Sequence, residues 1–107
     1  YGDEAAAYNK SLLAPGTHVQ LAYDTGHPPT CKGYYGRTLA YIRVGGGDVN
    51  QRLVERGYAC VDYFSPSGRA RLSVFDAAQQ AAQRADPPKG MWGACAGASD
   101  RNRKCFK

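Results

Sequence analysis

The stretch "YYGRTLAYI", residues 34–42, decides how the rest of the chain is read. Tyr35-Gly36 makes a tight turn. From Thr38 to Val44 the side chains alternate as on a strand, with Ala40, Ile42 and Val44 on one side and Leu39 and Tyr41 on the other. Between turn and strand stands Arg37. A guanidinium stays charged at every relevant pH and is a poor choice for the mouth of a buried strand. Its surroundings point to an anion: Lys32 adds charge, Tyr34 and Tyr35 offer flat faces, and the planar fork of donors matches phosphate oxygens.

Outward from this stretch, Asp3–Leu13 reads as a helix, with Asp3 and Glu4 at its positive end and Pro15-Gly16 as its stop. His18–Tyr23 alternates, placing Val19, Leu21 and Tyr23 on one face of a strand, and Asp24–Gly33 is a Pro/Gly loop. Beyond Thr38–Val44, Gly45-Gly46-Gly47 turns the chain and Asp48-Val49-Asn50-Gln51 has the form of a capping box. The short helix that follows buries Val49, Leu53 and Val54 and stops at Gly57. Tyr58–Tyr63 reads as a short extended piece and Ser65–Gly68 as a turn. Arg69–Ala85 forms a longer helix with Leu72, Phe75, Ala78 and Ala82 at helical spacing. From Trp92 onward little regular structure is expected. Two strands against three helices leave the sheet short of partners.

A chain of 107 residues makes one domain, and no apolar run approaches membrane-spanning length. Fourteen Lys and Arg against nine Asp and Glu give a formal charge of +5. That balance suits an anionic partner such as nucleic acid, nucleotide or an acidic membrane surface, although many small proteins are basic without one. Four cysteines allow three disulfide connectivities. Cys95–Cys105 with Cys31–Cys60 is the expected pairing, because the first closes a short local loop. Disulfides imply oxidising surroundings, hence a secreted or cell-surface protein.

Several enzyme classes drop out. There is no Gly-rich phosphate loop ending in Lys-Ser/Thr, and His18 and His27 are not spaced as metal ligands. His27 near Cys31 is best read as a solvated loop histidine. Asp24, Asp48 and Asp62 lack a calcium-loop spacing; Asp24 suits a turn and Asp48 a helix cap.

Four segments in order, "YGDEAAAY" (1–8), "YYGRTLAYI" (34–42), "DVNQRLVERGYA" (48–59) and "KGMW" (89–92), resemble the staphylococcal nuclease (thermonuclease) family. The resemblance spans Tyr1 to Trp92, a domain of residues 1–92, and leaves residues 93–107 as a Cys-containing basic tail. It implies an α+β fold, an OB-fold-like five-stranded barrel with three helices, and a calcium-dependent nuclease that hydrolyses phosphodiester bonds of DNA or RNA. Arg37 matches the family arginine that binds the scissile phosphate and stabilises its developing charge. Tyr35, Leu39 and Tyr63 match positions that line the nucleotide pocket. Tyr34 stands where relatives carry lysine, and Lys32 is the candidate substitute. Asn50 is expected to bond backbone near a helix start, Gly57 to cap, and Trp92 to pack over the helical layer.

The family's general-base glutamate, second catalytic arginine and calcium-binding aspartates precede the Tyr-Gly-x-Glu-Ala helix, which here opens at Tyr1. Glu4 matches a helix-start residue and does not replace the base. The expected N-terminal strands and calcium ligands are therefore absent from this chain, which alone should be inactive. It reads either as the C-terminal part of a longer nuclease or as a non-catalytic OB-like module that binds nucleic acid or protein. Its open strands are expected to pair with a second copy or a cleaved N-terminal segment.

Overall fold

A computed structural model describes residues 1–23, 36–62 and 69–94. Helix α1 (Gly2–Leu12) starts at Tyr1, carries Asp3 and Glu4 in its first turn, and ends before a turn in which the Thr17 N–H donates to the Ala14 carbonyl. Strand β1 (Gln20–Ala22) pairs antiparallel with β2 (Tyr41–Val44), with Leu21 opposite Ile42. β1 takes up three residues of the expected His18–Tyr23 strand, and the face expected to be apolar lies open: Val19, Leu21 and Tyr23 are 44%, 50% and 47% exposed, while Ala22 on the other face is half-buried.

A third strand, β3 (Gly47–Asp48), was not expected from sequence. Val44 faces Gly47, so Gly45 and Gly46 alone form the loop. Both have positive φ, 58° and 81°, the backbone of a two-residue hairpin turn that follows strand twist. The glycine run is therefore a hairpin as well as a turn. The described residues form an antiparallel sheet in the order β1-β2-β3; barrel closure is not part of it.

Helix α2 (Val49–Glu55) begins at once, because Asp48 both ends β3 and caps the helix, its Oδ1 accepting from the Gln51 N–H at 3.1 Å. Only half of the expected capping box forms. The Gln51 side chain turns away, donating to Glu55 and accepting from Arg71. At the other end the Gly57 N–H donates to Val54 and the Tyr58 N–H to Leu53, the paired bonds of a left-handed helix stop. A 3₁₀ turn (Arg69–Arg71) leads into helix α3 (Leu72–Arg84), and a single turn, α4 (Met91–Ala94), occupies the start of the expected irregular tail.

The core lies between α2 and α3. Val54, Val61 and Ala78 are buried together, with Leu72 and Phe75 packed against them, and Ala82 and Trp92 are 1% exposed. Trp92 thus covers the helical layer as expected. Tyr58 is stacked between Tyr1 and Tyr8, with centroids 5.7 and 4.7 Å away, fastening α1 to the end of α2. No helix among the described residues is long and apolar enough to cross a membrane.

Two stretches, one read as a strand and one as a short extended piece, are not laddered along their whole length. Tyr58–Asp62 has no strand neighbour among the described residues; instead the buried Gln79 amide oxygen accepts from the Val61 N–H at 2.8 Å. In the expected Thr38–Val44 strand, β2 begins only at Tyr41, and the Asn50 side chain serves the backbone on either side of that start. Cys60 is a free thiol, and its expected partner Cys31 lies outside the described residues. Cys31, Cys95 and Cys105, the Asp24–Gly33 loop and the Ser65–Gly68 turn lie outside the described residues.

Gly57 (φ 75°) and Gly90 (φ 55°) meet back to back: a Cβ on either would run into backbone carbonyls of the other's neighbourhood, and the Met91 N–H donates to the Gly57 carbonyl at 2.9 Å. Gly57→Ala is therefore expected to destabilise the fold by more than the ~1–3 kcal/mol of a left-handed non-glycine residue. Chemical denaturation measures it, and a loss below ~1 kcal/mol would contradict this packing.

Candidate nucleic-acid interface

Arg37 follows Gly36, whose φ of 73° is the left-handed backbone that favours glycine. Arg37 is exposed and Leu39, two residues on, is half-buried. What holds this run straight is Asn50. Its Oδ1 accepts from the Ile42 N–H at 3.0 Å and its Nδ2 donates to the Ala40 carbonyl at 3.3 Å. In an extended chain the carbonyl of one residue and the N–H two further on emerge on the same edge. On that edge β3 pairs Asp48 with Arg43, and the next backbone partners should come from the residues after Asp48. Those residues have already turned into α2, so the Asn50 side chain takes their place. The ladder continues through an amide instead of a strand.

The consequence is positional. The strand carrying Leu39 and Arg37 is tied to the first turn of α2, which is tied in turn to α3. That second tie is Arg71. Its Nη1 pairs with Asp48 Oδ2, its Nη2 donates to Gln51 Oε1 at 2.8 Å, and its guanidinium carbon stands 5.5 Å from the Tyr41 ring centre and 5.2 Å from Phe75. Asp48 is 7% exposed, so its charge is matched by an ion pair and a helix cap together.

Of the residues singled out from sequence, the structure places Arg37 and Leu39 on this braced run. Tyr35, Lys32 and Tyr63 lie outside the described residues. Asn50, at the start of α2, bonds backbone as expected, and that backbone belongs to the neighbouring run at Ala40 and Ile42. Arg71 and Gln79 were missed. Gln79 sits among the small apolar positions of α3, and a polar residue inside that stripe was the available signal. Arg71 had none, since its partner Asp48 is 23 residues away. Among the described residues no group of three or more His, Cys, Asp or Glu side chains is placed to hold a metal ion.

The sequence profile described as "Staphylococcal nuclease homologue" matches residues 1–94. The SPbeta prophage-derived endonuclease YokF of Bacillus subtilis (strain 168) is 34% identical over 83 residues, covering 78% of this chain and 27% of that protein. Endonuclease YncB of the same organism is 34% identical over 83 residues, covering 78% and 37%. Thermonuclease of Staphylococcus hyicus is 33% identical over 81 residues, covering 76% and 45%. The chain thus spans less than half the length of these curated relatives.

Proposed function

The chain belongs to the staphylococcal nuclease family, and we propose that it is the phosphate-gripping part of a nuclease that hydrolyses phosphodiester bonds of DNA or RNA. The observation that carries this reading is Arg37: an exposed guanidinium in the family's Tyr-Gly-Arg motif, on a run braced by two Asn50 hydrogen bonds. In the reaction a water oxygen bonds to phosphorus and the bond from phosphorus to the leaving sugar oxygen breaks. Negative charge builds on the phosphoryl oxygens in between. A guanidinium already held in place meets that charge without reorganising, which is where electrostatic catalysis gains most. Leu39, with Tyr35 and Tyr63, shapes the pocket for the adjoining nucleotide.

The general base belongs, in this reading, to strands that precede Tyr1 in the longer relatives. Strand β1 has β2 as its one neighbour among the described residues, which supports further strands at its other edge. Calcium is the ion that the family implies. The described residues do not form a site for it, and no step through the ion is assigned to them.

The test is digestion of end-labelled DNA and RNA by the full-length protein with calcium and with a chelator. Calcium-dependent shortening of either substrate is expected. Tight binding without any cutting would replace the nuclease by a non-catalytic nucleic-acid-binding module.

A further inference from the structure

A second group of arginines lies at the far end of the run that begins with Arg37 and becomes β2 at Tyr41. The β2–β3 hairpin, the start of α2 and Arg71 enclose a polar cleft of about 270 Å³, lined by Arg43, Arg52 and Arg71 with Asp48, Gln51 and Glu55. The two acids are already engaged. Asp48 serves Arg71 and the Gln51 N–H, while Glu55 accepts from the Gln51 Nε2 at 2.7 Å. The arginines are not matched in the same way. Arg43 makes one long bond, 3.4 Å, to the Gly46 carbonyl. The Arg52 side chain makes no hydrogen bond or ion pair with the described residues; its guanidinium fills the space that a Cβ on Gly47 would need. Two exposed guanidinium groups thus line one concave surface with no carboxylate partner among the described residues.

We infer that this cleft is a second phosphate-binding subsite, in which Arg43 and Arg52 grip the nucleic-acid backbone away from the bond held by Arg37. The inference rests on the nucleic-acid reading above and adds a location to it. Guanidinium forks suit phosphate oxygens, and a cleft concentrates their field where scattered surface charge does not. Spacing fits as well. Arg37 and Arg43 are six residues apart on a largely extended run, about 20 Å at ~3.3 Å per residue. Both fall on the same side by strand alternation. One nucleic-acid strand lying along residues 37–43 reaches both. The subsite binds and orients; it does not touch the reacting bond.

The test is the salt dependence of binding by the full-length protein to a fluorescently labelled single-stranded oligonucleotide, with a chelator present to prevent cutting. Arg43→Gln/Arg52→Gln is compared with Arg56→Gln/Arg84→Gln, which removes the same charge from exposed positions outside the cleft. Removing one arginine–phosphate pairing makes the log–log salt slope shallower by about 0.7. The cleft pair is expected to flatten the slope by roughly 1.4, and the control pair by clearly less. Equal slopes for the two variants would reduce the effect to net charge and overturn the subsite. A cleft variant with the parental slope would do the same. If the parent protein binds no oligonucleotide at all, the nucleic-acid reading falls first and takes the subsite with it. Circular dichroism melts of both variants confirm that the comparison is between folded proteins.

Discussion

Replacing Arg37 by alanine in the full-length protein is expected to lower turnover about 10²–10³-fold, the ~2.7–4 kcal/mol that one preorganised transition-state donor supplies. Folding should be nearly untouched, because the side chain is exposed and lies outside the core formed between α2 and α3. Arg37→Lys should recover only part of the rate, since a point charge replaces a two-pronged planar fork. Asn50→Ala supplies the contrast. It leaves the Ala40 carbonyl and Ile42 N–H without their side-chain partner and loosens the run that aims Arg37. Stability should then fall by about 1–3 kcal/mol together with turnover. Steady-state kinetics and thermal melts on the three variants separate the roles. Arg37→Ala with near-normal rates would make the arginine a surface or structural residue.

The second large effect concerns the open sheet. On its own, the 107-residue chain is expected to melt without a sharp transition or to associate, and to cut no DNA even with calcium. Strand β1 has one described neighbour, β2, and its Val19, Leu21 and Tyr23 face is about half exposed. Edge strands of this kind invite pairing with another chain. Covering the three side chains would recover about 1 kcal/mol apiece, half the ~1.5–3 kcal/mol of full burial. Backbone groups that gain partners add to this, and the total is large against a usual stability of roughly 5–15 kcal/mol. A peptide carrying the strands proposed to precede Tyr1 should restore a cooperative melt, and cutting if it carries the glutamate base. Calorimetry, analytical ultracentrifugation and a digestion assay measure the three outcomes. A monomeric chain that melts cooperatively and digests DNA unaided would place the general base among residues interpreted here as structural.

Local chemistry was legible in the amino-acid sequence wherever the cause lay within a few residues. Helices α1, α2 and α3 follow from their first-turn charges, apolar spacing and stops. Asp48 caps α2, Gly57 ends it, and Trp92 is buried, all as their neighbours implied. A strand at β1 is also as read, and the ordered motifs named the family. Tertiary structure decided what each element was joined to. The strand expected at Thr38–Val44 and the extended piece expected after Tyr58 run partly or wholly without ladders, because the Asn50 and Gln79 amides stand in for strand neighbours. The glycine run became a hairpin only because β3 had β2 to pair with. Gly57 and Gly90 belong to separate motifs, yet they constrain each other through space. Arg71 reaches Asp48 across 23 residues, and no local pattern could announce it. Hydrogen bonding and packing energies depend on what is near in space; sequence patterns record only what is near along the chain.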